Sequence, residues 1–138
     1  MIPGVNSLLN SLLTTGLEIT VQPSKNYRMH IEKNVINGTC DGQDAMVQAI
    51  YKILNTERYL NPIYSWNYGI ELRDLFGEPV AYVCAELERR ITEALLQDDR
   101  VKSVQEFEFN ISKRHEVVCT FIVRTIFGEV KAEKEVTY

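Results

Sequence analysis

ITEALLQDDRVKSVQEFEFN, residues 91–110, is where the chain changes its period, and that change decides the fold class. Up to Leu95 the apolar residues fall at helical spacing. Val80, Val83, Cys84, Leu87, Ile91, Ala94 and Leu95 form one stripe, entered through Glu78 and Pro79. Proline is expected at the first helical position, where its missing N–H costs nothing. From Phe107 the spacing is that of a strand: Phe107, Phe109 and Ile111 alternate with Glu106, Glu108 and Asn110. The step between the two regimes is Asp98, Asp99 and Arg100.

Downstream, Ser112 to His115 makes a turn. Val117, Cys119, Phe121, Val123 and Phe127 then share one face, with Val118, Ile122 and Ile126 on the other. A strand apolar on both faces is either covered on both sides or central in its sheet. The last run alternates Val130, Ala132, Lys134 and Val136 with Lys131, Glu133, Glu135 and Thr137. This is the pattern of an edge strand, with Lys131, Glu133, Lys134 and Glu135 guarding against indiscriminate pairing. Removing residues 129–138 is expected to leave the helices folded.

Upstream, Leu17, Ile19 and Val21 alternate with polar residues, and so do Tyr27, Met29 and Ile31. Lys33 and Asn34 offer a tight turn into a return strand from Val35 that stops near Gly38. Asp41 is a good N-cap for a helix with the stripe Ala45, Met46, Ala49, Ile50, Ile53 and Leu54. An aromatic-rich segment, Tyr59 to Gly69, follows. It either packs on its own core or offers a rigid contact patch through Tyr64 and Trp66. Glu71 to Phe76 can add a short helix. Residues 1–16, with Leu8, Leu9, Leu12 and Leu13 interrupted by polar residues, read as a flexible arm. Segregated blocks of strands and helices mean α+β. The expectation is one domain over 17–138: a small antiparallel or mixed sheet, two main helices packed on it, an N-terminal β-hairpin, and a C-terminal β-hairpin over about 101–138.

Composition narrows the function. A chain of 138 residues, 45% hydrophobic and 25% charged, fits one folded domain. A net charge of −4 argues against general nucleic-acid or acidic-membrane binding, both of which need a basic face. No apolar run approaches a membrane span, and the N-terminus lacks the basic start of a signal peptide, so the expectation is a soluble intracellular protein. Cys40, Cys84 and Cys119 are odd in number and form no CxxC, which argues against a disulfide framework or zinc site. Cys84 lies inside a helical apolar stripe and reads as a small core hydrophobe.

Catalytic motifs are sparse. His30 and His115 have no ligand spacing around them, and there is no GxxxxGK[ST], GxGxxG or GxSxG. No metal or cofactor is expected. The one carboxylate cluster is Asp98 with Asp99, to which Glu78 or Glu86 could add. Adjacent carboxyls rarely address one substrate, so a glycan hydrolase is a weak alternative. A stand-alone adaptor that binds one partner by its sheet edge is another.

Three stretches in order carry a resemblance. Asp44 to Ile50 through Ile53 to Arg58 is a helix ending in a Thr-x-Arg element. Tyr68 to Leu72 with Leu75 and Phe76 is an aromatic-Gly turn leading into a Leu-Phe helix. Ile91 to Val101 is a helix leaving through an acidic-x-Arg step. Together, over roughly residues 24–112, they resemble the sheath-initiator baseplate wedge proteins of contractile phage tails and tail-like bacteriocins, in the branch found in Gram-positive bacteria. The family's usual Glu-Pro-Arg step is Asp98, Asp99, Arg100 here: acid and arginine are kept in kind, the proline is not.

The resemblance implies a structural protein of the tail baseplate, about six copies per particle, assembled in the host cytoplasm. It joins wedge proteins to the first sheath ring, with hub or tube proteins as further candidate partners. It also implies that the C-terminal hairpin templates sheath arms by β-strand addition. Asp98, Asp99 and Arg100 become a candidate wedge contact, since a guanidinium can hold a carboxylate or carbonyls bidentately. The bland reading is a capping ion pair worth well under about 1 kcal/mol if exposed.

Overall fold

The computed structural model describes residues 23–138. The arm over 1–16 and the strand expected at Leu17 to Val21 lie outside them. Among the described residues there are two antiparallel sheets and two α-helices: β1 (Asn26–His30), β2 (Val35–Cys40), α1 (Gly42–Leu54), α2 (Val80–Leu96), β3 (Val101–Lys113), β4 (Glu116–Thr125) and β5 (Gly128–Thr137). The architecture is α+β, as the block order implies.

β1 and β2 form the N-terminal hairpin. Ile31 is not in the strand but opens a 3₁₀ turn, Ile31–Lys33, closed by Asn34 in the left-handed region at φ 51°. β2 runs on past Gly38 to Cys40. The hairpin is fastened to α1 through Gln48, a polar residue within an otherwise apolar face. Its carboxamide oxygen accepts from Met29 N at 2.9 Å, and its nitrogen donates to Tyr27 O at 2.7 Å. Asp41 caps α1, its side chain accepting from Gly42 N at 2.7 Å. Pro79 sits one place earlier than expected: it is the N-cap of α2, extended at φ −60° and ψ 141°, and its carbonyl accepts from Val83 N at 3.0 Å. Proline's fixed φ suits that position too, and its missing N–H still costs nothing.

β3, β4 and β5 form a three-stranded meander, so the C-terminal hairpin carries a further strand and β4 is central. That position accounts for its two apolar faces. Val117, Cys119, Phe121 and Val123 are buried beneath the helices, while Val118 and Ile122 on the other face are half-buried. Ile126 and Phe127 do not continue those faces. The chain turns after Thr125 and leaves both exposed. α2 packs on β3, α1 packs on β5, and the helices touch each other. Met46, Ile70, Leu75, Leu87, Ile91, Leu95 and Phe121 fill the space between. Val130 and Val136 of β5 are also buried in this core. That burial argues against the expectation that the helices stand without residues 129–138, because the last strand closes the core it borders.

Cys40 and Cys119 are buried, and burial pushes the Cys119 thiol up to about 12. Cys84 is half-buried against the core, with its thiol also raised by burial.

Candidate functional site

The step from α2 into β3 is a closed turn. Asp98 N donates to Leu95 O at 3.1 Å and Val101 N to Asp98 O at 3.0 Å. Asp98 Oδ1 accepts from Arg100 N at 3.0 Å and from its Nε at 2.9 Å, while Oδ2 accepts from Nη2 at 2.6 Å. Aspartate is short enough to bond its own backbone two residues on, so a side-chain bond holds the turn where the family's step has a rigid ring. The pair is not an exposed one: Arg100 and Asp98 side chains keep 17% and 13% of their surface. Burial alone would raise the Asp98 carboxyl, but its bonds to Arg100 and the guanidinium charge outweigh this and hold it below the usual range. Both Asp98 oxygens are taken up by Arg100 and only Asp99 is exposed, so the two make a poor glycosidase pair.

The three stretches that carry the resemblance meet in space. Ile70 N donates to Thr56 O at 2.9 Å and Arg58 N to Ile70 O at 3.2 Å. This forms a short parallel bridge between Glu57 and Ile70. The Glu57 carboxylate accepts from Leu72 N at 3.2 Å, and Arg58 Nε donates to Gly69 O at 3.3 Å. Arg58 then reaches Glu93 on α2 at 2.9 Å. Gly69 makes the approach possible: at φ +93°, a Cβ there would lie 2.5 Å from Thr56 O. A second clamp holds the other end of the segment. Arg90 of α2 grips both carboxylate oxygens of Asp74, donates to Glu71 O at 2.9 Å, and pairs with Glu86 at 3.0 Å. Those bonds lower the Asp74 carboxyl and raise the guanidinium. Arg90 and Glu57 carry no periodic signal, and only their distant partners reveal what they do.

The clamped segment presents aromatics. Tyr64 and Tyr68 rings lie 4.7 Å apart, and Trp66 is 75% exposed beside them. Asn67 donates to Gln97 at 2.9 Å, which sets this loop against the Asp98–Arg100 turn. A recess of about 590 Å³ between them is lined by Ser24, Asn26, Ser65, Asn67 and Tyr68 as well as Arg100. Tyr64, Trp66, Asp98, Asp99 and Arg100 thus share one end of the molecule.

Lys131, Glu133, Lys134 and Glu135 do not join them. They lie on β5, the opposite edge of the sheet from β3. Tyr138 N donates to His115 O at 2.9 Å, which with the β4–β5 register fixes the phase of the ladder. The even-numbered residues of β5 bond to β4; Lys131, Glu133, Glu135 and Thr137 direct their N–H and C=O groups to the open edge. Lys134 is set apart from the other guards. It lies on the helix side, and its ammonium donates to Asn55 Oδ1 at 3.0 Å, at the end of α1. Burial lowers its pKa.

Among the described residues no cluster of His, Cys, Asp or Glu is arranged to hold a metal, and no helix is long and apolar enough to cross a membrane. The fold of the described residues thus combines clamped loops at one end with an open sheet edge at β5. The model of the contractile injection system sheath initiator family matches residues 19–128, and the chain belongs to that family. It is a structural component of a contractile tail. Its relatives include the phage-like element PBSX protein XkdS of Bacillus subtilis (strain 168), 35% identical over an alignment of 119 positions, with 83% of each chain covered. The family match reaches further at both ends than residues 24–112 and stops where β5 begins.

Proposed function

We propose that the protein joins the baseplate wedge to the first ring of sheath subunits, in six copies per particle, and starts the sheath by accepting an extended sheath arm on β5. It would be assembled in the host cytoplasm and carried in the particle. Asp98, Asp99 and Arg100, with Tyr64 and Trp66, form the wedge-facing end, and β5 forms the sheath-facing edge. One observation carries the reading: the outward N–H and C=O groups of Lys131, Glu133 and Glu135 have no backbone partner among the described residues, in a member of a sheath-initiator family. Backbone pairing supplies affinity for an extended segment, and charged neighbours restrict which segment fits. The role is structural rather than catalytic.

Proline tests it. Glu133 turns its N–H outward, so Glu133→Pro removes an edge donor and blocks close approach of a new strand without breaking a bond to β4. The variant is expected to fold, to join baseplates, and to grow no sheath, while Glu133→Thr grows sheath normally. Electron microscopy of particles made with each variant decides. Sheath of normal length on Glu133→Pro baseplates would place the docking edge elsewhere.

A further inference from the structure

The helix side of the β5 edge is not uniform. Near its start, α1 leaves Val47 and Tyr51 partly exposed one turn apart, and with Val130 and Ala132 they line an open groove. Near its end, Leu72, Phe76 and Val136 form the apolar part of a second groove whose lining also includes the charged Glu57, Arg73 and Lys134, and Phe76 is 74% exposed. Lys134 belongs to the second groove and lies in sequence between Ala132 of the first and Val136 of the second. Its ammonium has one neutral partner, Asn55, and no carboxylate within ion-pair distance among the described residues. Glu57 nearby is engaged by the Leu72 and Arg73 amides. An ammonium offers further donors beyond one amide oxygen.

A strand added to β5 places alternate side chains on this same side, repeating every two residues. The positions facing Ala132, Lys134 and Val136 therefore meet groove, cation and groove in turn, over about 13 Å from end to end. Resting on the reading of β5 as the sheath-facing edge, we propose that the sheath segment it accepts carries two apolar residues four positions apart, with an acidic residue midway between them. The pattern reads the same in both directions, so it holds for a parallel or an antiparallel arrival. It also disfavours a second copy of this chain. In the register that fills both grooves, one β5 would bring its Lys134 against the other's.

The test uses the full chain and overlapping synthetic peptides spanning the sheath subunit encoded with it, with binding read by fluorescence anisotropy. The tightest peptide is expected to contain the apolar-x-acid-x-apolar pattern. Replacing its acid by lysine should weaken binding at least about tenfold. Lys134→Glu should restore the lysine peptide and weaken the parent. Because Lys134→Glu alters a half-buried position, Val47→Ser and Phe76→Ser serve as surface variants, each expected to weaken the parent peptide about tenfold. Peptides that bind in a Glu133→Pro-sensitive way yet ignore the central charge and both surface variants would overturn the pattern and leave the role of β5 standing. If no sheath peptide binds, or binding ignores Glu133→Pro, the reading of β5 itself fails and the pattern with it.

Discussion

Arg100 stands out in the chain because of the motif it belongs to, yet its environment is readable only in three dimensions. A guanidinium bonded to both oxygens of a largely covered carboxylate is worth more than a surface pair. Arg100→Ala is expected to cost about 1–3 kcal/mol, since Asp98 loses charged hydrogen bonds while remaining partly buried. The same pair sets a pH dependence. Asp98 titrates below its unfolded value, so its contribution is complete above about pH 4 and is lost as the pH falls through the folded value. Asp98→Asn should therefore be less stable than wild type at pH 7, and the gap should narrow toward pH 3. Urea unfolding of both proteins at the two pH values checks this. Gln48 shows the converse problem of legibility. It stands outside the apolar stripe read for α1 and carries no signal in the sequence, because the backbone groups it satisfies, at Tyr27 and Met29, lie across on the hairpin.

Among elements, those with a sustained period were readable: both helices, the N-terminal hairpin, and the strands after Phe107. Their limits moved by a residue or two where caps and turns compete, as at Pro79 and Ile31. The segment from Asn55 to Gly77 was not readable in this way, because it has no period. Long-range bonds give it its shape: Thr56 to Ile70, Arg58 to Glu93, and Arg90 to Asp74. Gly69 is where that shape is most vulnerable. Alanine there brings a methyl group against the Thr56 carbonyl and disfavours the positive φ. Gly69→Ala is expected to lower stability by about 3 kcal/mol or more. Its thermal midpoint should fall well below that of Gly77→Ala, whose added Cβ meets nothing within 4 Å.

At the scale of the whole molecule, the strand proposed to face the sheath also carries part of the core. Deleting residues 129–138 would uncover Val117, Cys119, Phe121 and Val123 and remove Val130 and Val136, each worth about 1.5–3 kcal/mol when buried. Against a total stability of about 5–15 kcal/mol, the truncated chain is expected to lose its cooperative unfolding transition, which circular dichroism on heating will show. The edge character of the last strand was legible from its lysines and glutamates. Its part in the core was not, because two valines in a charged run give little sign of how deep they sit. The alternation of backbone direction along β5 has an evolutionary corollary. If β5 receives the sheath arm as proposed, the even-numbered positions other than Lys134 answer to folding and the odd-numbered ones, with Lys134, to assembly, so two selections act on one short stretch in nearly opposite phase. A saturation library over 128–137, sorted once for soluble expression and once for sheath growth, should give two tolerance profiles of period two, offset by one residue except at Lys134, which sheath growth also constrains. On that reading, drift at the odd positions and at Lys134 can adapt the chain to a new sheath while the domain beneath stays as it is.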